Sequence, residues 1–322
     1  MSRVESDLEV EAELSPLELG WSGPKVVAIG GGHGLAQLLE GVLRYAGEIA
    51  AVVTVADDGG SSGRLTSVLE IPPPGDLRRC LLALSPEPTL WRELFAYRFE
   101  EGDVAGHSLG NLMLAALTEV LGDFEAALRA AASHLRSLGR VIPVARRSLH
   151  LQAVIDGQLV EGQESITRAR GEVSKLSLVP VDEPANPEAL EAIAAADQLV
   201  VAPGSLYTSV LSALIVPGIV EAIGASAAPL VYVCNLITQD GETLEMDGPA
   251  HLEALLGMSG LRVPDAVVAN GGEVQAPWPL QLVRVHPGEV PAEVIVADLV
   301  DRAAEWPQHD PIRLGEVLSR LT

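Results

Sequence analysis

Residues 25–43 read KVVAIGGGHGLAQLLEGVL. The run from Lys25 to Ile29 is short and apolar, Gly30-Gly31-Gly32-His33-Gly34 is almost all glycine, and Leu35, Leu38, Leu39, Val42 and Leu43 then recur at helical spacing. A strand that enters a glycine turn and leaves it as a helix opens a doubly wound α/β sheet. The same turn aims backbone N–H groups, with a helix dipole behind them, at a bound phosphate. Against the dinucleotide pattern G-x-G-x-x-G, Gly30 and Gly32 match but the third position is Leu35. No Gly-Lys-Ser or Gly-Lys-Thr follows, so hydrolysis of the P-loop type is not expected. A tight turn that needs positive φ is the structural alternative for the same glycines.

Working outward, Ile49 to Val55 is a second β-branched run, and it stops at Asp57-Asp58-Gly59-Gly60-Ser61-Ser62-Gly63-Arg64, too rich in Gly and Ser to extend a strand. Pro72-Pro73-Pro74-Gly75-Asp76 halts regular structure, and Asp76 is expected to cap a helix through Leu77, Leu81, Leu82 and Leu84. Further helical patterns cover Thr89–Phe99, Leu109–Val120 and Phe124–Leu138. From Arg140 to Val181 short alternating runs predict β-structure joining two halves of the fold. Leu199–Ala202 and Leu230–Cys234 read as buried strands with helices at Leu206–Leu214 and around Glu221, and a last helix fits Pro311–Leu321. The sum is a mostly parallel sheet with helices on both faces, expected as one domain over 24–322 behind a solvated, disordered acidic tail at 1–23.

Composition narrows the function. With 48% apolar residues and a mean hydropathy of +0.27 over 322 residues, the chain should fold. A net charge of −23 and only 3% aromatics leave neither the basic footprint nor the stacking surface of a nucleic-acid binder. An anionic small ligand still fits, given a local pocket of amides and arginines. Cys80 and Cys234, far apart in apolar runs, read as reduced thiols in a cytoplasmic core. The N-terminus has Glu5, Asp7, Glu9, Glu11 and Glu13 and no apolar h-region, so no signal peptide is expected. Gln198–Val220 carries no charge, but Pro203, Gly204, Pro217 and Gly218 break it, which argues against a membrane span.

Several clusters could carry chemistry. Asp57-Asp58 stands where this fold presents an acid to a ribose or a divalent cation; Arg64 or a simple loop cap are the alternatives. Gly106-His107-Ser108-Leu109-Gly110 matches G-x-S-x-G, yet the charged Glu100-Glu101-Gly102-Asp103 ahead of it is no buried strand, so a nucleophile elbow is not expected. Pro203-Gly204-Ser205-Leu206-Tyr207-Thr208-Ser209 repeats the strand, glycine, helix logic. Asn235, Thr238, Gln239, Gly241, Glu242 and Thr243 crowd a third strand end. The seven histidines show no paired metal-ligand spacing, and only His33 and His107 lie in glycine turns. In an open sheet these loops share the carboxyl edge, so they should converge on one crevice.

Six ordered blocks now stand out: GGGHGLAQLLEG from Gly30, TVADDGGSSGRL from Thr54, PPGDLRRCLLAL from Pro73, GHSLGNL from Gly106, PGSLYTS from Pro203 and YVCNLITQDGET from Tyr232. With them the chain resembles the YvcK-like, or gluconeogenesis factor, family, related to the CofD 2-phospho-L-lactate transferases. The resemblance implies a CofD-like, Rossmann-type three-layer α/β/α sandwich. It also implies a cytoplasmic regulator that binds a UDP-sugar, notably UDP-N-acetylglucosamine, and supports cell shape and wall synthesis during gluconeogenic growth. The nucleotide- or sugar-binding residues it implies are Gly31, Gly32, His33, Gly34, Asp57, Asp58, Ser61, Ser62, Arg64, His107, Asn111, Gly204, Ser205, Tyr207, Thr208, Asn235, Thr238 and Gln239. Binding would require no cofactor. Candidate partners are regulators of cell-wall synthesis and a second copy of the chain. The alternative it carries is a transferase that moves a phospholactyl or related phospho-acid group from a nucleotide-activated donor to a hydroxyl, with Mg²⁺ held by Asp57, Asp58 and Asp76. Two departures from the pattern are Ala202 in place of Gly before PGSLYTS, and Ser212-Ala213 in place of Pro-Asn after it.

Overall fold

A computed structural model describes residues 22–56, 59, 63, 65, 66, 69, 71–85 and 89–322. Residues 1–21 of the acidic tail, Asp57, Asp58, Ser61, Ser62 and Arg64 therefore lie outside the described residues.

β1 (Lys25–Gly30) pairs in parallel with β2 (Glu48–Val53) on one side, Gly30 opposite Val53, and with β7 (Gln198–Val201) on the other, Ile29 opposite Val201. β3 (Arg140–Pro143), β8 (Leu230–Val233), β9 (Ala266–Asn270) and β10 (Glu293–Ala297) complete a seven-stranded parallel sheet in the order β10-β9-β8-β7-β1-β2-β3. β7, β8 and β9 are buried at every residue, which is why Leu199–Val201 and Leu230–Val233 read as unbroken apolar runs rather than alternating ones; β9 is an addition to the expected strands.

From β1 the chain builds outward to β2 and β3, then returns to the other side of β1 for β7 and continues to β8, β9 and β10. Because parallel crossovers are right-handed, this reversal puts the helix after β1 and the helix after β7 on opposite faces. It opens a crevice between the carboxyl ends of β1 and β7. α1 (Gly32–Val42) follows β1; Leu206–Leu211, a π-helix, follows β7 and runs into one turn of α-helix at Ser212–Leu214. α1 packs against α2 (Pro74–Ala83) and against the last helix, Pro311–Leu318. Gly41 faces Gly315 there so closely that a Cβ on Gly41 would fall 2.6 Å from the Pro311 carbonyl oxygen.

The structure revises several expectations. Arg140–Pro143 belongs to the main sheet, and only the rest of the middle segment is separate. There β4 (His150–Ile155) lies antiparallel between β5 (Gln158–Glu161) and β6 (Val173–Val179), with a short helix at Gln163–Ala169. The patterns at Thr89–Phe99 and Phe124–Leu138 form helices Leu90–Ala96 and Phe124–His134, capped by Thr89 and Asp123. Asp76 does not cap its own helix: Pro73 and Pro74 start α2, Asp76 lies inside its first turn, and its carboxylate is turned to α1. Helices Pro187–Ala194 and Gly248–Ser259 are additions.

Among the described residues no single helix is long and apolar enough to cross a membrane. Leu206–Leu214 and Ile219–Ala225 pass that test only as a pair bent by 66°, and every residue of Leu206–Leu214 is buried in the protein. Cys80 and Cys234 are free and buried, and burial pushes the Cys234 thiol up to about 12.

His309, just before the last helix, carries a pH dependence. Burial holds its imidazole down at about 4, against a hydrogen bond to the Cys234 backbone. The folded protein therefore keeps His309 neutral while the unfolded chain takes up a proton near pH 6.5. Stability from this group is complete above pH 6.5 and is lost as pH falls toward 4, by about 3 kcal/mol. Urea midpoints measured from pH 7 to 4 should fall more steeply for the wild type than for His309→Gln; parallel curves would contradict this.

Candidate nucleotide-binding site

The first turn is built by close approach. Gly31 precedes α1 in an extended conformation and has no side chain to cap it, and Gly32 takes φ +68°, where glycine alone is unstrained. A Cβ on Gly31 would lie 2.7 Å from Thr54 Cγ2, at the end of β2, and 2.8 Å from Asp76 Oδ2. A Cβ on Gly34 would run into the Pro203 carbonyl of the second turn. The glycines thus let the β1 turn fit between β2, α2 and the segment after β7. The cap that Gly31 cannot supply comes from 44 residues away, where Asp76 Oδ2 accepts the Gly32 N–H at 2.7 Å. Arg79 is ion-paired to the other oxygen.

Positive charge gathers at this turn. Arg78 is buried, donating Nε to Asn111 Oδ1 at 2.9 Å and Nη1 to the Phe95 carbonyl at 3.1 Å. Burial, with Arg79 and Arg98 adding to it against Asp76, pushes Arg78 down to about 10. Desolvation, then Arg79, holds His33 below the ordinary imidazole value, Arg78 adding to this while Asp76 opposes it. Neither arginine belongs to the site residues expected from the sequence. Their signal was present as Arg78-Arg79 directly after Asp76, two adjacent cations in a chain of net charge −23.

The second turn is latched from β8. Gly204, at φ +153°, donates its N–H to Asn235 Oδ1 and accepts from Asn235 Nδ2, both at 2.8 Å. Ser205 Oγ donates to Gln239 Oε1 at 2.7 Å. Beneath them the buried Glu242 carboxylate accepts the Tyr207 N–H at 3.1 Å, Thr208 Oγ1 at 2.8 Å, Thr167 Oγ1 at 3.3 Å and Gln239 Nε2 at 3.4 Å. Burial keeps Glu242 above the usual carboxylate range, and these donors only partly offset it. The Thr238 hydroxyl accepts the Gln281 N–H at 2.9 Å, and the Tyr207 hydroxyl points at Met246 Sδ. Asn235, Thr208 and Thr238 thus spend these hydrogen bonds on shaping the loops.

The two turns meet. Besides the Gly34–Pro203 approach, Ser209 Oγ lies 3.7 Å from where a Gly32 Cβ would be, and Thr54 Oγ1 is 2.8 Å from Ser212 Oγ. The ends of β2, β1, β7 and β8, four neighbours in the sheet, therefore share one crevice. The GHSLGNL block packs beside Arg78: Asn111 is held by Arg78, and Arg98 Nη1 donates to the Gly106 carbonyl at 2.5 Å. Ser108 is buried and caps the helix Leu109–Leu121 by accepting the Asn111 N–H, so it is no exposed nucleophile.

Mg²⁺ finds an incomplete donor set among the described residues. Both Asp76 oxygens are engaged, and no three His, Cys, Asp or Glu side chains are grouped to hold a metal ion. The crevice instead offers backbone amides at the start of α1, the Ser209 hydroxyl beside Gly32, and arginines on one side. That composition suits a diphosphate.

Comparisons with known proteins agree with the architecture. Residues 26–286 match the family model described as 2-phospho-L-lactate transferase CofD. The gluconeogenesis factor of Halalkalibacterium halodurans is 44% identical over 275 residues, 85% of this chain and 84% of that protein. The gluconeogenesis factor of Bacillus subtilis is 43% identical over 253 residues, 78% of this chain and 80% of that protein. A crystal structure of a Bacillus halodurans protein superposes with a TM-score of 0.88 at 39% identity, covering 92% of this chain and 99% of that one. The chain belongs to the CofD family, in its gluconeogenesis factor, YvcK-like, branch.

Proposed function

We propose that the protein is a UDP-sugar-binding regulator acting in the cytoplasm, with UDP-N-acetylglucosamine as ligand, and that it supports cell shape and wall synthesis during gluconeogenic growth. The observation that carries this reading is the meeting of two glycine turns from adjacent strands beside Arg78 and Arg79 in a strongly acidic chain. A diphosphate between the turns draws on the N-terminus of α1 and lies against the second turn, and the nucleoside and sugar then extend to either side along the crevice. Regulation follows when the liganded form differs in its affinity for a partner, since a ligand that binds two states equally shifts neither.

UDP-N-acetylglucosamine at about 100 times its Kd should stabilise the fold by about 2.7 kcal/mol, a rise in Tm of about 5 °C or more. UDP alone should give a smaller shift and an uncharged sugar none. A melting curve unmoved at millimolar nucleotide sugar contradicts the reading.

The family model's own name supports a second reading, transfer of a phospho-acid group. Release of GMP from a guanylyl-activated phospholactate or phosphoenolpyruvate, lost in Asp57→Asn, would favour it over regulation.

A further inference from the structure

We infer that Asp76 is an internal anion of this site, holding the place of a ligand phosphate and giving it up when a phosphate binds. The inference rests on the diphosphate reading above and concerns what selects the ligand.

Three observations converge on Asp76. Its Oδ2 sits 2.7 Å from the Gly32 N at the start of α1, the distance and place at which a phosphate oxygen meets a helix N-terminus. Its other oxygen holds Arg79, the partner a phosphate would use. Arg79 and Arg98 both act on Arg78, and among the described residues Asp76 is the carboxylate that acts on it against them. A carboxylate seated this way keeps the arginines and the amide oriented in the ligand-free protein, so the site does not collapse or fill with solvent at random. It also sets a threshold. A ligand gains only the difference between its own interactions and those of Asp76, so a monoanion of carboxylate strength gains almost nothing. A phosphoryl group, with more charge and a bidentate match to a guanidinium, gains substantially.

Asp76 and Arg79 are three residues apart on one helix, and the Arg79 side chain is 29% exposed, so rotamer changes release the amide and swing the guanidinium onto the incoming phosphate. Asp76 thereby becomes a specificity determinant that disfavours weak anions. A metal-ligand role makes the opposite prediction for its removal.

Calorimetric titration of the full chain, run without divalent cation and again with Mg²⁺, separates the two: loss of a metal ligand would weaken pyrophosphate binding in Mg²⁺, whereas loss of a competing anion tightens it in either condition. Wild type, Asp76→Asn and Arg79→Gln are titrated with inorganic pyrophosphate and with UDP-N-acetylglucosamine. Asp76→Asn should bind pyrophosphate about tenfold more tightly than wild type, or about 1.4 kcal/mol, and Arg79→Gln should bind it more weakly. Equal or weaker binding by folded Asp76→Asn overturns the inference. Should that variant fail to fold, NMR of the wild type decides. Saturating pyrophosphate must move the Asp76 carboxylate carbon and the Gly32 amide together, and a stationary Asp76 resonance overturns the inference. If pyrophosphate behaves as stated but UDP-N-acetylglucosamine binds neither protein, the nucleotide-sugar reading fails and the inference stands. If the nucleotide sugar binds wild type and Asp76→Asn alike and pyrophosphate shows no gain, the inference alone fails.

Discussion

Gly34→Ala should lower Tm by on the order of 10 °C and abolish nucleotide binding. The added methyl would overlap the backbone of Pro203 and Gly204 rather than a movable side chain, so the two turns must separate to admit it. Separation strains α1 and the π-helix, both anchored in the core through Leu35, Leu38, Leu206 and Val210, and it opens the crevice in which we propose that a diphosphate binds. A cost of about 4 kcal/mol is in the range of severe overpacking. The control is Gly257→Ala, in the helix Gly248–Ser259, where a Cβ meets nothing within 4 Å. There alanine should stabilise by up to about 1 kcal/mol through helix propensity, leaving binding intact. Thermal melts with and without nucleotide check both, and a Gly34→Ala protein that melts and binds like wild type would show that the turns are not in essential contact.

Asn235→Ala should cost about 2–3 kcal/mol and reduce nucleotide affinity at least a hundredfold. The lost amide satisfies both the N–H and the carbonyl of Gly204, each at 2.8 Å, and alanine leaves both groups of a half-buried peptide to find other partners. The larger loss is in binding. Without the clamp, the Gly204 peptide is free to rotate, and the turn's N–H groups no longer point at a fixed place. Asn235→Asp tests the polarity of the clamp. A carboxylate still accepts from Gly204 N–H but cannot donate to its carbonyl, and it places a negative charge near the bound phosphates, so its affinity should be no better than that of alanine. Urea denaturation and calorimetry separate the stability loss from the affinity loss. A variant that loses stability while keeping affinity would mean that Asn235 serves the fold alone.

The sheet was legible where burial on both faces made strands continuously apolar, as at Val26–Ile29, Leu199–Val201 and Leu230–Val233. The glycine turns were legible because no other residue fits backbone against backbone. β9 and β10 were not: Ala266–Asn270 is a five-residue run that ends in a polar residue, and Glu293–Ala297 is a half-exposed edge strand. The helix Gly248–Ser259 was missed because its apolar residues are spread around it rather than gathered in one stripe, although Asp247 ahead of Gly248-Pro249 was a usable start signal. Asp76 shows the limit of local reading most clearly. A carboxylate beside prolines at a helix start looks like that helix's own cap, whereas its partner is an amide 44 residues earlier, brought near only by the packing of α1 on α2. Glu242 is similar: its pull on Tyr207 and Thr208 exists only after β7 and β8 have paired.

The convergence of both glycine turns on one diphosphate is open to a single NMR titration. Backbone amides of Gly31–Gly34 and of Gly204–Ser205 are followed while UDP-N-acetylglucosamine is added to the full chain. Both groups should shift together and fit one Kd. Shifts confined to one turn, or two groups of shifts with different midpoints, would contradict a shared site.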